Sequence, residues 1–173
     1  MMGLLQSSLI TALPWLIAST GLSAGWWSVA MAAGMLPVVL GAPLWGRYAD
    51  RQGSLRVLRG ASLIVLLAFM LLLLVLAWQP VAMALMVFVV LTRLMHGIGA
   101  GGVFPAAQRL VVSGVDPGRW AARLAGLQVA VHLGRLAGPG LMVMAAVSGV
   151  PGALCLVWIA GVLCCLALAR PAL

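Results

Sequence analysis

The stretch that decides the fold reads Gly46-Arg47-Tyr48-Ala49-Asp50-Arg51-Gln52-Gly53-Ser54-Leu55-Arg56. It holds three of the ten basic residues and one of the two acids in a chain of 173 residues that is 65% hydrophobic. A chain embedded in lipid places so dense a cluster of charges in water, at the membrane surface. We therefore interpret this stretch as a charged loop that marks one face of a membrane.

The sequence on either side of this stretch is apolar enough for a membrane protein. Only 7% of the residues are charged, whereas a soluble domain has about 25%. No charged residue occurs in 1–46, 60–92 or 136–169, and about 20 apolar residues form a helix that crosses the hydrocarbon core. The pattern predicts an all-α membrane protein, with 1–173 as a single domain of six transmembrane helices, at about 3–22, 26–45, 60–78, 84–111, 122–147 and 153–169.

The arginines are distributed unevenly between the two sides that six spans would create. The turns near residues 23, 79 and 150 contain none. By the positive-inside rule, this bias predicts cytoplasmic termini in a bacterial-type inner membrane. The basic residues otherwise lie in short connections, so the net charge of +8 does not indicate a nucleic-acid partner. Eight arginines lie on the predicted cytoplasmic side, namely Arg47, Arg51, Arg56, Arg59, Arg109, Arg119, Arg123 and Arg170.

Three motifs, in order along the chain, resemble those of the major facilitator superfamily. Gly46-x-x-x-Asp50-Arg51-x-Gly53 resembles the family's signature between helices 2 and 3, although Ser54 and Leu55 stand where a basic pair is usual. Arg93 with the glycine-rich run after it resembles the helix 4 motif. The sequence Gly134-x-x-x-Gly138-Pro139 resembles part of the helix 5 antiporter motif. The resemblance covers the whole chain and implies the N-terminal half of a major facilitator fold, a 3+3 inverted repeat.

The resemblance also implies a cytoplasmic gate around Asp50. A carboxylate is stabilised near a helix N-terminus and by pairing with arginine, and Arg109 is a candidate partner. The alternative is a solvated loop that only determines topology. The residues implied in the gate are Gly46, Asp50, Arg51, Gly53, Arg56 and Arg109.

Polar residues inside the predicted spans are candidates for a substrate cavity. Arg93 and His96 lie one turn apart on the fourth predicted helix, where a charge costs about 2.5–3.5 kcal/mol. Gln128, His132 and Arg135 form a stripe on the fifth. Together the two stripes predict one cationic cavity, suited to an anionic substrate such as a carboxylate-bearing or siderophore-like molecule. The alternatives are that Arg93 reaches the interface and that the stripes only join helices by hydrogen bonds.

Small residues repeat at four-residue spacing on the same two helices. Such spacing lets helices approach closely, and we interpret it as a helix-packing motif. The sequence shows no nucleophile–base pair, metal-ligand cluster or paired carboxylates, so we expect no catalytic residue, no metal and no cofactor. A six-span membrane enzyme is the hypothesis with the least support. The packing motif consists of Gly97, Gly101, Gly134, Gly138 and Pro139.

The leading hypothesis is a secondary active transporter of a small organic molecule. Such proteins work by alternating access, in which two halves rock about a midplane site, and the partial helix 5 motif favours efflux. No acid lies within a predicted span, so His96 and His132 are the candidates to carry protons. The alternative for each histidine is a packing residue with its hydrogen bonds satisfied. The alternative to the leading hypothesis is a truncated or split-gene half, inactive alone. The expected partners are the lipid bilayer, the substrate, protons, and a second six-helix half or a second copy in a homodimer.

Overall fold

The computed structural model describes residues 1–144 and 149–169. The prediction of an all-α fold is confirmed for this part of the chain. Residues 145–147 of the fifth predicted helix and Arg170 lie outside the described residues. The described helices are α1 (Met2–Thr20), α2 (Ala24–Ala33), α3 (Met35–Gln52), α4 (Ser54–Trp78), α5 (Ala82–Val112), a 3₁₀ turn (Pro117–Arg119), α6 (Trp120–Met144) and α7 (Gly149–Ala169).

The charged stretch is helical, and its interpretation as a loop is wrong. α3 continues through Asp50 to Gln52, and Gly53 alone separates it from α4. Gly53 has φ 87° and ψ 144°, a backbone conformation that essentially only glycine adopts. Arg51 lies in the last turn of α3, where a cation is favoured by the helix dipole. The charged residues therefore lie on helical backbone on both sides of Gly53.

The second predicted helix is divided at Gly34, between α2 and α3. Pro37 lacks a backbone N–H, so it cannot bond to the carbonyl of Ala33 four residues earlier. Ala33 is the last residue of α2. Proline therefore accounts for the position of the break, and α2 and α3 together still form one apolar segment over Ala24–Gln52.

Several helices in the described part can span a membrane. Four segments are long and apolar enough to cross it, and α7 adds a shorter apolar helix over Gly149–Cys164. α6 carries Arg123 and Arg135 and is not among the four. The chain is therefore a multi-pass membrane protein. The four segments are Met2–Thr20, Ala24–Gln52, Ser54–Trp78 and Ala82–Val112.

α4 and α1 carry most of the buried core. α4 packs mainly on α5 and also on α7, whereas α1 packs on α6 and α7. Trp158 of α7 donates its indole N–H to the carbonyl of Leu66 on α4, at 3.0 Å. The buried residues of both helices recur every three or four positions, as expected for one packed face. They include Leu5, Leu9, Ala12 and Leu16 on α1, and Val57, Ala61, Val65, Phe69 and Leu72 on α4.

Glycine allows α5 to pack directly against the junction of α2 and α3. A methyl group at Gly97 would overlap the carbonyl oxygen of Gly34, and one at Gly101 would lie 3.1 Å from the carbonyl oxygen of Val38. Lipid offers little hydrophobic drive for helices to associate, so close backbone approach and dispersion must hold them together. Both glycines of α5 in the predicted packing motif thus lie at a close helix crossing.

A second crossing joins α6 to the start of α1. A methyl group at Gly138 would overlap Oγ of Ser7, and one at Gly134 would lie 3.3 Å from the backbone nitrogen of Leu4. Pro139 follows Gly138 and lies inside α6 without ending the helix. The glycines of the packing motif therefore occupy two separate helix crossings.

Replacing Gly97 by alanine is expected to destabilise the protein by about 1–3 kcal/mol, because the added methyl must displace the backbone of Gly34. Reversible unfolding in detergent micelles would measure the loss. The matched control is Gly126→Ala, since no atom lies within 4 Å of a Cβ at that position. Alanine is favoured over glycine in a helix by about 1 kcal/mol, so this control should gain stability. Equal stabilities for the two variants would contradict the close crossing.

Candidate functional site

An ion pair joins the cytoplasmic ends predicted for two helices. Nη1 of Arg109, in the last turn of α5, lies 2.5 Å from Oδ1 of Asp50 in α3. The pairing expected from the sequence is therefore present. The side chains are 51% and 59% exposed, respectively, and exposed pairs of this kind contribute about 0–1 kcal/mol. The pair orients the ends of α3 and α5 without locking them together.

The other residues of the predicted gate surround the junction of α3 and α4. Arg56 donates from Nη1 to Oε1 of Gln52, so a side chain of α4 reaches back across Gly53 to α3. Arg51 is exposed on the last turn of α3. Gly46 and Gly53 have open space where a Cβ would be. The gate residues of the motif thus lie on one helix junction, with Arg109 reaching it from α5.

Arg93 and His96 are buried inside the protein. Only 7% and 6% of their surfaces are exposed. The site of Arg93 is about 17 Å along α5 from Ala82. The guanidinium of Arg93 packs beside Gly34. A Cβ built at Gly34 would lie 3.4 Å from both Nε and Nη2 of Arg93. The close approach made possible by glycine therefore also encloses a charged side chain at depth.

Two polar atoms of this buried pair have no hydrogen-bond partner among the residues that the structure describes. They are Nε of Arg93 and Nδ1 of His96. Within the described ranges Arg93 forms no ion pair, because Asp50 pairs with Arg109 and Asp116 accepts a bond from the backbone N–H of Gly118. An unpaired buried charge is costly, so a compensating anion would be stabilising at this position.

The polar stripe of α6 lies elsewhere. Gln128, His132 and Arg135 are all exposed in this structure. The stem of Arg135 lies beside α1, where its Cγ is 3.1 Å from a Cβ built at Gly3. The structure therefore separates the five predicted cavity residues into a buried pair on α5 and an exposed stripe on α6.

A groove of about 1030 Å³ opens between α3, α4 and α5. None of the five predicted cavity residues lines it, but the predicted gate residue Arg56 does. Sequence reasoning missed this groove because its lining is almost entirely apolar and looks like lipid-facing surface. The available signal was the four-residue spacing of one stripe on α3, formed by Leu36, Leu40, Leu44 and Tyr48.

These features define a multi-pass α-helical membrane protein, with an exposed ion pair at the helix ends and a buried arginine among the helices. The profile of the Major Facilitator Superfamily matches residues 1–172, and the chain therefore belongs to this family. The resemblance seen in the sequence motifs is confirmed, and the family's members are membrane transporters. No curated protein matches the chain significantly.

The one-residue link between α3 and α4 should tolerate only glycine. Gly53→Ala is expected to cost about 1–3 kcal/mol, because alanine is strained at φ 87°. Thermal unfolding followed by circular dichroism would measure it. Gly46→Ala is the control, since that glycine is helical and has open space around its Cβ. If Gly53→Ala were as stable as Gly46→Ala, the backbone conformation at the link would be different.

The ion pair between Asp50 and Arg109 should contribute little to stability. A double-mutant cycle of Asp50→Asn and Arg109→Gln is expected to give a coupling free energy of about 0.2–1 kcal/mol, because both side chains are half exposed. The coupling should fall as salt is added. A coupling of several kcal/mol, insensitive to salt, would show that the pair is buried in the functional protein.

Proposed function

We propose that the chain works as a secondary active transporter of a small organic anion, by alternating access. The observation that carries this proposal is Arg93, a cation buried within α5 that has no ion-pair partner in the described part of the chain. A charge placed at membrane depth is costly and usually serves a pathway or a ligand. A carboxylate on the substrate would offset the cost.

His96 supports the same assignment. It lies one turn from Arg93 on α5, is equally buried, and its Nδ1 has no hydrogen-bond partner in residues 1–144 and 149–169. An imidazole can donate a hydrogen bond to an anion, and neither acid of the sequence lies beside this pair. The local chemistry therefore favours a carboxylate-bearing or siderophore-like substrate over an organic cation. His96 and His132 are the candidates to couple substrate movement to protons.

The helix crossings fit an internal repeat of three helical spans plus three. α5, the first span of the second triplet, packs on α2–α3, the second span of the first triplet. α1, the first span of the first triplet, packs on α6, the second span of the second. Each crossing has glycine at the contact, with Gly34 facing Gly97 and Gly3 facing Gly134. This exchange of partners is what an inverted repeat requires, so we include α6 and α7 as the fifth and sixth spans.

The Asp50–Arg109 pair fits a gate on the arginine-rich side of the membrane. It links the ends of α3 and α5 at the surface where the positive-inside rule places the cytoplasm. A weak, exposed pair of this kind can break and reform as two halves rock. We assign both termini to the cytoplasmic side of a bacterial-type inner membrane, and efflux as the direction suggested by the helix 5 motif.

The exposed stripe on α6 favours a specific alternative, in which the chain is a half-transporter that is inactive alone. Gln128, His132 and Arg135 are exposed in the single chain. Polar and charged side chains facing hydrocarbon are costly. A water-filled cavity, closed by a second six-helix half or by a second copy of this chain, would remove that cost and bring the stripe into the substrate pathway.

Transport by purified protein in liposomes tests the proposal. Uptake of carboxylate-bearing metabolites is expected to exceed uptake of organic cations under an imposed pH gradient. Arg93→Gln should lower anion flux about tenfold or more, because the substrate would lose its charged partner. Arg119→Gln is the matched control, since Arg119 is exposed in the 3₁₀ turn after α5. A preference for cations, or full anion flux in Arg93→Gln, would refute the assignment.

The same preparation distinguishes a half-transporter that is inactive alone from a chain that transports by itself. A particle with the mass of one chain and no flux of any tested solute would favour the half-transporter. Flux regained on adding a separately encoded six-helix half, or found only in a two-chain particle, would identify the missing partner. Flux from a single chain would exclude the alternative.

A further inference from the structure

The groove between α3, α4 and α5 is lined by apolar side chains along most of its length and by a cation at one end. Along α3 its lining runs from Leu36 to Tyr48, a rise of about 18 Å at 1.5 Å per residue. Half of a hydrocarbon core of roughly 30 Å is about 15 Å. The groove is therefore as long as one leaflet, with a short excess at the surface.

The two ends of the groove differ in chemistry. Leu36 and Leu94 line the end away from the α3–α4 junction, whereas Tyr48 and Arg56 line the end beside it. Arg56 is the only ionisable side chain among the lining residues that is charged at neutral pH, and no acid is among them. Its bond to Gln52 uses one of the five N–H donors of a guanidinium.

Glycines keep the groove open between these ends. Gly41 on α3 and Gly60 on α4 both line it. No atom lies within 4 Å of a Cβ built at Gly60, so a larger side chain there would enter the groove without meeting the backbone. Trp45 forms part of the wall, where its indole N–H donates to the carbonyl of Ile98 at 2.7 Å. This bond holds α3 and α5 together behind the open space.

We propose that this groove binds an anionic phospholipid from the leaflet on the arginine-rich side. The acyl chain lies along the leucines of α3, and the phosphate meets Arg56 and Tyr48 at the surface. Length, apolar lining and a single cation at one end match this molecule, because its charge and its hydrocarbon are separated in the same way. The bound lipid fills the gap between α3 and α4, which have few contacts of their own.

Native mass spectrometry of the full chain in detergent tests this site. Phosphatidylglycerol and phosphatidylcholine with matched acyl chains would be titrated, and the fraction of lipid-bound protein measured. We expect phosphatidylglycerol to bind about fivefold more tightly, the preference that one arginine near an anionic headgroup supplies. Arg56→Gln should abolish the preference without preventing binding. Arg123→Gln, which removes an exposed arginine of α6, should keep it.

A second variant tests the apolar part of the groove. Gly60→Leu is expected to weaken binding of both lipids at this site, because its side chain occupies the space of the acyl chain. Gly126→Leu is the control, since that glycine also has open space around its Cβ and lies on α6, away from the groove. Arg56→Gln changes only an exposed side chain, so it keeps the test valid if Gly60→Leu fails to fold.

Four results would overturn the proposal, three of them concerning lipid binding or assembly and the fourth concerning displacement by phosphate. One is equal binding of the two lipids by the unaltered protein, and another is unchanged lipid binding by folded Gly60→Leu. The third is a two-chain particle that Gly60→Leu abolishes, which would assign the groove to a second copy. Excess inorganic phosphate should not displace the lipid if the acyl chain contributes to binding, and displacement would reduce the site to a phosphate contact at Arg56.

Discussion

Close contact between the backbones at Gly34 and Gly97 is the constraint on which the rest of the structure depends. In lipid, helices are held by packing and hydrogen bonds, and small residues decide where two backbones can meet. Here a methyl group at position 97 would overlap the Gly34 carbonyl. The contact brings α5 against the α2–α3 junction, and it thereby encloses Arg93 one turn before Gly97. The packing contact and the buried charge have the same structural cause.

The two charged sites of the protein differ in the free energy that an unpaired charge costs, because one site is exposed and the other is buried. Asp50 and Arg109 pair where water screens them, so either can release the other at small cost. Arg93 is buried, and its Nε has no hydrogen-bond partner within the described part of the chain. An uncompensated charge in such surroundings favours any state in which an anion arrives. The proposed selection of an anionic substrate therefore rests on the buried residue, whereas the exposed pair costs little to break.

Local patterns in the sequence predicted the family and the Asp50–Arg109 pair, because motifs and charges are properties of short segments. They did not predict that the charged stretch is helical. The positive-inside rule locates water, but it does not state whether the backbone there is coiled. Pro37 was visible in the sequence, and its missing N–H was a usable signal for the break after Ala33.

The polar stripes show a second limit of prediction from the sequence. Spacing places Arg93 with His96, and Gln128 with His132 and Arg135, on single faces of their helices. Spacing does not determine how each helix is rotated toward its neighbours. The glycine crossings determine that rotation, and they bury one stripe and expose the other. The groove was hidden for a related reason, since its leucines do not differ in sequence from leucines that face lipid.

The single-residue link at Gly53 has a consequence for how the protein is made. Only one residue separates α3 from α4, and Arg56 of α4 donates to Gln52 of α3 across it. The two helices form a hairpin whose closed end carries Arg47, Arg51 and Arg56. Cations that flank a span resist translocation, so the closed end of the hairpin, rather than either apolar helix, supplies the signal that orients the pair in the bilayer.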